Sequence, residues 1–504
     1  MLATIPSAVV LGVDGHAVRV EVHVSGGFPG FAVVGLPDRS CREARDRVSS
    51  ALSTCGLGWK PRKVVVNLAP SALRKVGSGL DLPIAVGWLV GAEVLPASSV
   101  EGIALLGELG LDGSVRRVPG VLAAVAAIDA DEVVVPASCY HEAVLVGRCR
   151  VRPVRSIIEV VDALQGVAPW PDPPPIPPTE PEPPPPDLAD VRGQPLARLA
   201  VEVAAAGGHH LLLLGPPGAG KTMLARRLPG LLPPLDASTA LEVTRIHSVA
   251  GQRLPARGLI EHPPYRAPHH SASAISLVGG GSAQLRPGEV SLASGGCLFL
   301  DELGEFDPSV LDGLRQPLEE GVVRIARAAV RAELPARFLL VAAMNPCPCG
   351  AGGGPGSCIC TPNGVARYRR RLSGPLLDRF DLRVLVTRPS VHELLGAPPA
   401  EATAAVAARV DGARARASAR GVAVNGELRG SRLEAHAPLT AASRTLLERS
   451  LQAGALSARG LDRVRAVART VADLHGADAL DVEHVALALQ LRAPISGRDH
   501  AVAC

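Results

Sequence analysis

Two short segments of this chain carry the residue types that bind a nucleoside triphosphate. In the first, LLLLGPPGAGKT at 211–222, four leucines predict a buried strand, and the glycines after it allow a tight turn whose N–H groups face phosphate oxygens. Lys221 then reaches the β- and γ-phosphates, and Thr222 binds Mg²⁺ at the start of a helix whose dipole favours the same anion. The loop itself consists of Gly215, Pro216, Pro217, Gly218, Ala219 and Gly220.

The second segment is CLFLDEL at 297–303, whose apolar residues predict another buried strand that ends in two acids. Asp301 is suited to hold the Mg²⁺ through its water shell, and Glu302 to polarise the water that attacks the γ-phosphate. Glycine is abundant in this chain, with 53 residues, so either segment alone is a weak signal. Both segments in this order, each after an apolar strand, predict ATP binding and hydrolysis.

A third apolar strand, FLLVAAMN at 338–345, ends in the amide of Asn345. We expect it between the other two strands, where the amide orients the attacking water; capping of the next turn is the alternative.

Arg379 lies in GPLLDRFDL at 374–382, beside an aromatic residue and after an arginine-rich stretch at 367–371. We interpret it as a guanidinium that reaches the phosphates of a neighbouring subunit, with a surface salt bridge as the alternative. Arg459, ahead of Arg463, is the preferred candidate for a further contact to the γ-phosphate, and a solvated helix face is its alternative.

Four thiols crowd into CPCGAGGGPGSCIC at 347–360: Cys347, Cys349, Cys358 and Cys360. Two C-x-C pairs across a glycine-rich loop are able to close tetrahedrally around Zn²⁺. The spacing differs from C-x₂-C, so an iron–sulfur cluster or plain reduced thiols stay open. We expect a structural zinc that braces the end of the Asn345 strand and takes no part in catalysis.

The segment between the two phosphate motifs is too long for a simple strand–helix connection, which typically has about two to six residues. Within it, Ile275 to Gln284 is glycine-rich and predicts a mobile loop that contacts the substrate at a ring pore. His269 and His270 precede this loop, and packing or hydrogen bonding is a better interpretation of them than metal binding.

The overall composition restricts the partners. The net charge is +4 with 20% charged residues, so any contact to nucleic acid must be local. The first residues lack a basic region and reach Asp14 early, unlike a secretory signal. The apolar run at 82–95 contains Glu93 and is shorter than the roughly 20 residues that span a bilayer. Ten cysteines in a chain of this length do not indicate a disulfide scaffold, so we expect a soluble, cytoplasmic protein without a membrane partner.

A proline-rich stretch at 169–187 predicts an extended spacer between two bodies. The body before it reads as α+β, with strands at 17–24, 31–36, 63–69 and 131–136 and helices near 42–55 and 82–95.

After the spacer, 187–207 predicts one helix that leads into the phosphate loop. Strands then alternate with helices to about residue 390, as in a parallel sheet covered on both faces. The remainder predicts a helical lid, in which apolar side chains recur at helical spacing: Leu461, Val464, Val467, Val471 and Leu474.

The chain resembles the Mg-chelatase-like AAA+ ATPases of the ComM/YifB type in the runs APHHSASAISLVGGG, LRPGEVSLASGGCLFLDELGEF, VAAMNPCPCG and RLSGPLLDRFDL. The resemblance covers nearly the whole chain and implies a hexameric ring that hydrolyses ATP. It also implies a DNA motor, a helicase that drives branch migration when incoming single strands recombine during natural transformation. The matching positions are Lys221 and Thr222 in the phosphate loop, Asp301 and Glu302 on the acidic strand, Asn345 as first sensor, Arg379 as arginine finger and Arg459 as second sensor.

The body before the spacer resembles the Lon protease domain but departs from its active pattern. The run KVGSGLDLPIAV puts Gly79 at the serine position, and PGVLAAV puts Leu122 at the lysine position. Ser78 is one residue away, yet no lysine follows Lys75 before Lys221, so proteolysis is disfavoured. Docking or ring formation fits better, with phosphate contacts from basic residues: Lys60, Arg62, Lys63, Arg74 and Lys75.

The predicted architecture is α/β, an AAA+ P-loop NTPase core with a C-terminal helical lid after an α+β Lon-protease-like (ribosomal S5-like) domain. The predicted divisions are 1–168, 169–187, 188–390 and 391–504. Two alternatives to a DNA motor remain at this point. One is a Mg-chelatase-like ATPase that remodels a protein partner, against which the front domain and the cysteine cluster argue. The other is a scaffold that binds ATP mainly to assemble.

Overall fold

The fold is given by a computed structural model, which describes residues 1–60, 62–176, 178, 185–281, 285–327, 330–351, 358–396, 400–454 and 456–493. Parts of four predicted features lie outside the described residues: the middle of the proline-rich spacer, residues 282–284 of the predicted substrate loop, residues 352–357 of the cysteine cluster, and the last residues of the predicted lid.

The first body contains two sheets and a short hairpin. Its strands are β1 (Leu2–Leu11), β2 (Asp14–Ser25), β3 (Gly30–Val34), β4 (Lys63–Ala69), β5 (Ile103–Leu105), β6 (Glu108–Leu109), β7 (Val115–Arg116), β8 (Glu132–Pro136) and β9 (Arg150–Val154). Its helices are α1 (Arg39–Thr54), α2 (Asp81–Gly91), α3 (Val121–Ala126), α4 (Tyr140–Ala143) and α5 (Ile157–Leu164). The predicted strands correspond to β2, β3, β4 and β8, and the predicted helices to α1 and α2.

The larger sheet of this body has the order β1-β2-β4-β3, in which only the β3–β4 pair is parallel. Alternate valines along β2 are buried under α2, as the period of two along a strand requires. Gly87 lets this helix approach closely, because an added Cβ would lie 2.6 Å from Cγ2 of Val22. The prediction that α2 extends to residue 95 was wrong, since the helix ends at Gly91 and Glu93 takes the left-handed conformation (φ 64°).

The second body is built around one five-stranded sheet. Its strands are β10 (Leu211–Leu214), β11 (Tyr265–Arg266), β12 (Gly279–Gly280), β13 (Arg286–Pro287), β14 (Cys297–Leu300), β15 (Val322–Arg327), β16 (Val330–Pro335), β17 (Leu339–Met344) and β18 (Leu382–Leu385). Its helices are α6 (Pro195–Gly207), α7 (Lys221–Ala225), α8 (Ala237–Val249), α9 (Ala274–Val278), α10 (Glu289–Leu292), α11 (Pro308–Asp312), α12 (Arg315–Glu320), α13 (Pro362–Arg370) and α14 (Gly374–Leu377).

The five strands run in the order β11-β14-β17-β10-β18, and every neighbouring pair is parallel. The residues of β10, β14 and β17 are apolar and buried throughout, as expected of a sheet covered on both faces. Leu214 is in register with Met344, and Leu300 with Ala342, so the three strands end at one edge of the sheet. This confirms the predicted parallel sheet and the place of the Asn345 strand between the other two.

Part of the predicted substrate loop is helical, since residues 275–278 belong to α9. Two further features of this body differ from the prediction. The single helix expected at 187–207 is a short 3₁₀ turn at Leu188–Asp190 followed by α6. The break has a local cause, because Pro195 disfavours helical backbone in the residue before it, and Gln194 is left-handed with φ 60°. The hairpin of β15 and β16 is the second difference, since the sequence analysis did not identify these strands.

The C-terminal helices are α15 (Val391–Leu395), α16 (Thr403–Ala419), α17 (Gly430–His436), α18 (Ala441–Gln452), α19 (Ala458–Leu474) and α20 (Val482–Gln490). The apolar stripe predicted on α19 is confirmed, since Val464, Val467 and Val471 are buried and Leu461 and Leu474 pack beside them. Across the described residues, no helix has both the length and the apolar character needed to cross a bilayer.

The two ends of the spacer are attached to folded parts. The ring centroid of Trp170 lies 5.7 Å from the guanidinium carbon of Arg152 in the first body. Asp187 accepts a hydrogen bond of 2.8 Å from the N–H of Thr403 at the start of α16.

The first body also contacts the second directly. The N–H of Gly120 donates to the carbonyl of Ser248 at 3.2 Å, and buried Glu142 accepts hydrogen bonds from Ser248 and from the N–H of Leu122. Val13, in the β1–β2 turn, is buried in the same apolar cluster as Leu334 of β16. The first body therefore packs on α8 and on the β15–β16 hairpin.

Candidate active site

The phosphate loop begins where β10 ends. The N–H of Gly215 donates to the carbonyl of Met344 at 3.1 Å, so the loop leaves the sheet beside β17. An added Cβ at Gly215 would lie 2.1 Å from the carbonyl oxygen of Val386, which leaves room for glycine alone. Gly218 and Gly220 have φ values of 75° and 87°, in the region that glycine adopts without strain. The glycines thus have the conformational roles that the sequence predicts.

Lys221 is the charged centre of this loop. Its side chain is buried, and its ammonium donates to the carbonyls of Gly215 (2.6 Å) and Pro216 (2.9 Å) and to Oδ1 of Asn345 (3.0 Å). Burial lowers the pKa of Lys221, and the nearby carboxylates of Asp301 and Glu302 act in the opposite direction. An ammonium held by neutral oxygens keeps its full charge available to phosphate oxygens.

The residues predicted to hold Mg²⁺ are adjacent. Oγ1 of Thr222 donates to Oδ2 of Asp301 at 2.8 Å, and the N–H of Glu302 donates to Oδ1 of Asp301 at 2.9 Å. A hydroxyl and a carboxylate side by side are the hard oxygen ligands that Mg²⁺ prefers. The donor set therefore fits this ion.

These groups surround one cleft of about 440 Å³. The volume lies within the range of roughly 300–1,000 Å³ typical of small-molecule sites. The predicted residues that line it are Pro217, Gly218, Ala219, Gly220, Lys221, Thr222, Asp301, Glu302 and Asn345. The structure thus brings the three strand-end motifs together at the edge of the sheet.

His270 is a part of the site that the sequence analysis did not assign. Its Nδ1 lies 3.1 Å from Oε2 of Glu302, whose own backbone is left-handed with φ 51°. His269 instead contacts the hydroxyl of Ser271 at 2.8 Å, so neither histidine belongs to a metal-binding group among the described residues. The sequence signal for this role is slight: His270 lies in the long segment that connects the two phosphate motifs.

Arg379 is not among the described residues whose side chains or backbone line the cleft. Its guanidinium donates to the carbonyl of Pro375 at 2.8 Å and forms an ion pair with Glu319 on α12. Within one chain this arginine is therefore held by Pro375 and Glu319, outside its own cleft.

The two arginines of α19 differ in their surroundings. Arg463 is bound to Asp381 and donates to the carbonyl of Arg379 at 2.9 Å, which ties α19 to the second body. Arg459 is exposed in the first turn of the same helix. Of the two, Arg459 is the side chain without a structural partner among the described residues.

The four thiols of the cysteine cluster converge. All four sulfur atoms lie within 4.8 Å of one another, and Cys347, Cys349 and Cys358 are separated by 3.4, 3.6 and 3.7 Å. Four sulfurs at 2.3 Å from a tetrahedral Zn²⁺ would be about 3.8 Å apart, so the separations fit zinc. A hydrogen bond from the N–H of Ala351 lowers the pKa of Cys349 to about 6, which favours the thiolate that binds a metal.

The cluster also touches the phosphate loop. An added Cβ at Gly350 would lie 2.6 Å from Cγ of Pro217, so the two loops are in van der Waals contact. A metal held by these cysteines would therefore fix one wall of the cleft.

Among the described residues of the first body, Ser78 and Lys75 do not form a serine–lysine pair. Ser78 donates to the carboxylate of Glu108, and the ammonium of Lys75 donates to the carbonyl of Pro70. Leu122 is buried in the apolar core.

Comparison with known proteins gives matches over most of the chain. Three family models match: subunit ChlI of Mg-chelatase at 20–138, magnesium chelatase subunit ChlI at 187–394, and its C-terminal part at 400–492. A Mycobacterium tuberculosis protein is 47% identical over 96% of this chain and 97% of its own length. YifB of Salmonella typhimurium is 41% identical over 98% and 97%, and competence protein ComM of Haemophilus influenzae is 40% identical over 98% of both chains.

We predict that the purified protein carries about one Zn²⁺ per chain in the cysteine cluster. Replacing Cys349 and Cys358 together by Ala should remove the zinc, because two of four ligands are lost, and should lower the thermal midpoint. Inductively coupled plasma mass spectrometry measures the metal content. Cys149→Ala, a change at a partly buried cysteine of the first body, is the matched control and should keep the zinc. Iron in place of zinc, or full zinc content in the double variant, would contradict the assignment.

Proposed function

Because this chain belongs to the ComM/YifB family of Mg-chelatase-like proteins, we propose that it is an ATP-hydrolysing AAA+ ring motor that moves DNA strands. In this proposal it acts as a helicase that drives branch migration when single strands recombine during natural transformation.

One observation carries the ATPase part: Lys221, Asn345 and the Thr222–Asp301 pair face one cleft at the ends of three parallel strands. The N–H groups of the glycine-rich loop and the ammonium of Lys221 would bind the phosphates of ATP. Thr222 and Asp301 would hold Mg²⁺, which neutralises charge on the phosphates when bound.

The remaining groups of the cleft have distinct tasks in this proposal. Glu302 polarises the attacking water, and Asn345, which already contacts Lys221, orients it near the γ-phosphate. Nδ1 of His270 lies 3.1 Å from Oε2 of Glu302, which orients the carboxylate and leaves its second oxygen for the attacking water.

We assign the last positive charge of the site to a neighbouring subunit. Arg379 lies outside its own cleft, and a guanidinium supplied in trans is a known way to stabilise the transferring phosphoryl group. A head-to-tail contact of this kind closes into a ring, for which we propose six subunits. Arg459, exposed at the start of α19, is our candidate for the second sensor.

The DNA part of the proposal is supported by the relative that bears the name competence protein and is 40% identical over nearly the full length of both chains. The near-neutral charge of the chain means that DNA contacts are local. In the predicted substrate loop, Ile275 is exposed on α9.

A second candidate function is a Mg-chelatase-like ATPase that remodels a protein partner. It is favoured by the names of the matching models, which describe subunit ChlI of Mg-chelatase. We further propose that the divisions at 1–168, 169–187, 188–390 and 391–504 separate a Lon-like domain, a spacer, the ATPase core and a helical lid.

Replacing Glu302 by Gln should lower the ATPase rate by about 10²- to 10⁴-fold while nucleotide binding is kept, because the carboxylate is lost and the phosphate loop is not. A coupled ATPase assay measures turnover, and a fluorescent ATP analogue measures binding. Glu305→Gln, three residues further along and paired with Arg371, is the control and should keep the wild-type rate. Unchanged hydrolysis in Glu302→Gln would show that another group polarises the water.

Single-stranded or forked DNA should stimulate the ATPase of the wild-type protein, since a translocating motor couples hydrolysis to movement along its substrate. The rate is measured with single-stranded, forked and duplex DNA at fixed salt, together with the mass of the oligomer with and without nucleotide. Intact hydrolysis that no DNA stimulates would reject the DNA motor and favour the protein-remodelling alternative. A ring that assembles with ATP but does not hydrolyse it would favour the scaffold.

A further inference from the structure

The first body presents an exposed aromatic ring at one end of its larger sheet. Phe28 lies in the loop between β2 and β3, and 96% of its surface is exposed. Gly26 and Gly27 before it have open space around them, and Gly27 is in the region that favours glycine (φ 119°). A phenylalanine displayed in this way, on a loop with conformational freedom, is typical of a contact surface.

Basic residues lie directly beside this loop. Lys63 is in register with Ser25 on β2 and with Gly30 on β3, the residues on either side of the loop. The N–H of Gly30 donates to the carbonyl of Arg62 at 3.2 Å. Lys60, Arg62 and Lys63 are all exposed, and Lys60 and Lys63 are two of the four lysines in the chain.

The charge at this end of the sheet is uncompensated. In the sequence, the segments 22–31 and 59–66, which lead into and out of this end of the sheet, contain neither aspartate nor glutamate. None of Lys60, Arg62 and Lys63 forms an ion pair with a described residue. A chain with a net charge of only +4 therefore has a local site of positive charge at this position.

The basic segment is held on a rigid support. Trp59, next to Lys60, stacks on Trp88 of α2 with ring centroids 4.7 Å apart and lies 6.4 Å from the ring of Phe31. The support fixes where the cations project, while the glycines let Phe28 adjust.

We propose that Phe28, Lys60, Arg62 and Lys63 form a binding site for single-stranded DNA on the first body, separate from the ATPase core. Single-strand recognition has two elements. Cations follow the phosphate backbone, and an aromatic ring beside them stacks on an unpaired base. A duplex offers the cations its phosphates but offers Phe28 no free base, so single strands are preferred.

Two of the five basic residues that the sequence predicts to contact phosphate, Arg74 and Lys75, do not belong to this site. Lys75 is fully buried and donates to the carbonyl of Pro70, so it has no access to phosphate. Its backbone pairs with Pro37 beyond the far end of β3, and Arg74 precedes it there. The exposed Val34 and Leu36 also lie toward that far end, away from Phe28.

Full-length protein without nucleotide is titrated into fluorescein-labelled oligothymidine of about 30 nucleotides and into a hairpin duplex, with fluorescence anisotropy read over a salt series. Lys60→Gln/Arg62→Gln/Lys63→Gln should weaken binding to the oligonucleotide at least 10-fold and reduce the slope of log K against log salt by about 2, since each phosphate contact contributes about 0.7. Phe28→Ala should weaken it about 5- to 100-fold with little change in slope.

The matched control is Arg39→Gln/Arg42→Gln/Arg45→Gln, which removes the same charge from exposed positions on α1 and should bind like the wild type. Thermal midpoints and basal ATPase rates should be unchanged in all variants. Equal loss in the control, equal affinity of wild type for the duplex, or no effect of Phe28→Ala would overturn the site. A lower oligomer mass in Phe28→Ala with DNA binding unchanged would make this surface a contact between copies instead, and would also overturn it.

The choice of DNA as the ligand of this site rests on the proposed function, but different results would refute the site and the motor. Wild-type protein that binds the oligonucleotide through this surface without ATPase stimulation refutes the motor and keeps the site. Wild-type protein that is stimulated by DNA while the triple variant binds and responds equally refutes the site and keeps the motor.

Discussion

The buried ammonium of Lys221 is the charge on which the arrangement of the second body depends. Among the described residues, its hydrogen bonds go to neutral oxygens, two from the loop backbone and one from Asn345, and burial lowers its pKa. A charge in that position requires the loop to turn back on itself, and the glycines allow this turn. It also requires β17 to end beside β10, which follows from their parallel register. The Thr222–Asp301 contact follows from the same alignment, because β14 ends at the same edge.

This alignment explains which parts the sequence could predict. Apolar runs that end in Gly215, Asp301 and Asn345 predict strands whose carboxyl ends meet, and local spacing is sufficient for that inference. Pro195 explains the break before α6, whereas the apolar periodicity of 187–207 favours one continuous helix. The His270–Glu302 contact and the β15–β16 hairpin depend on tertiary packing against the first body and the sheet, for which a single sequence carries little signal.

A buried polar network connects the C-terminal helices to the segment that carries Arg379. Asp381, two residues further along, is bound by Arg463 of α19 and lies 3.4 Å from Nδ1 of His209. Although burial opposes ionisation, His209 and Arg463 hold the pKa of Asp381 well below its usual range. Arg492 donates to the carbonyls of Phe380 and Asp381 from the other side. These contacts tie α19 and the end of the C-terminal helices to the segment that carries Arg379.

The most direct test of a site shared between subunits is the ATPase rate of a mixture of two inactive variants. Lys221→Ala and Arg379→Ala should each fold, and each should be inactive alone, the first lacking nucleotide binding and the second retaining it. After equal mixing, about a quarter of the interfaces in a head-to-tail ring combine an intact Lys221 with an intact Arg379. The account predicts that activity returns in proportion to these interfaces. A mixture that stays inactive, or an Arg379→Ala protein that hydrolyses ATP at the wild-type rate, would contradict it.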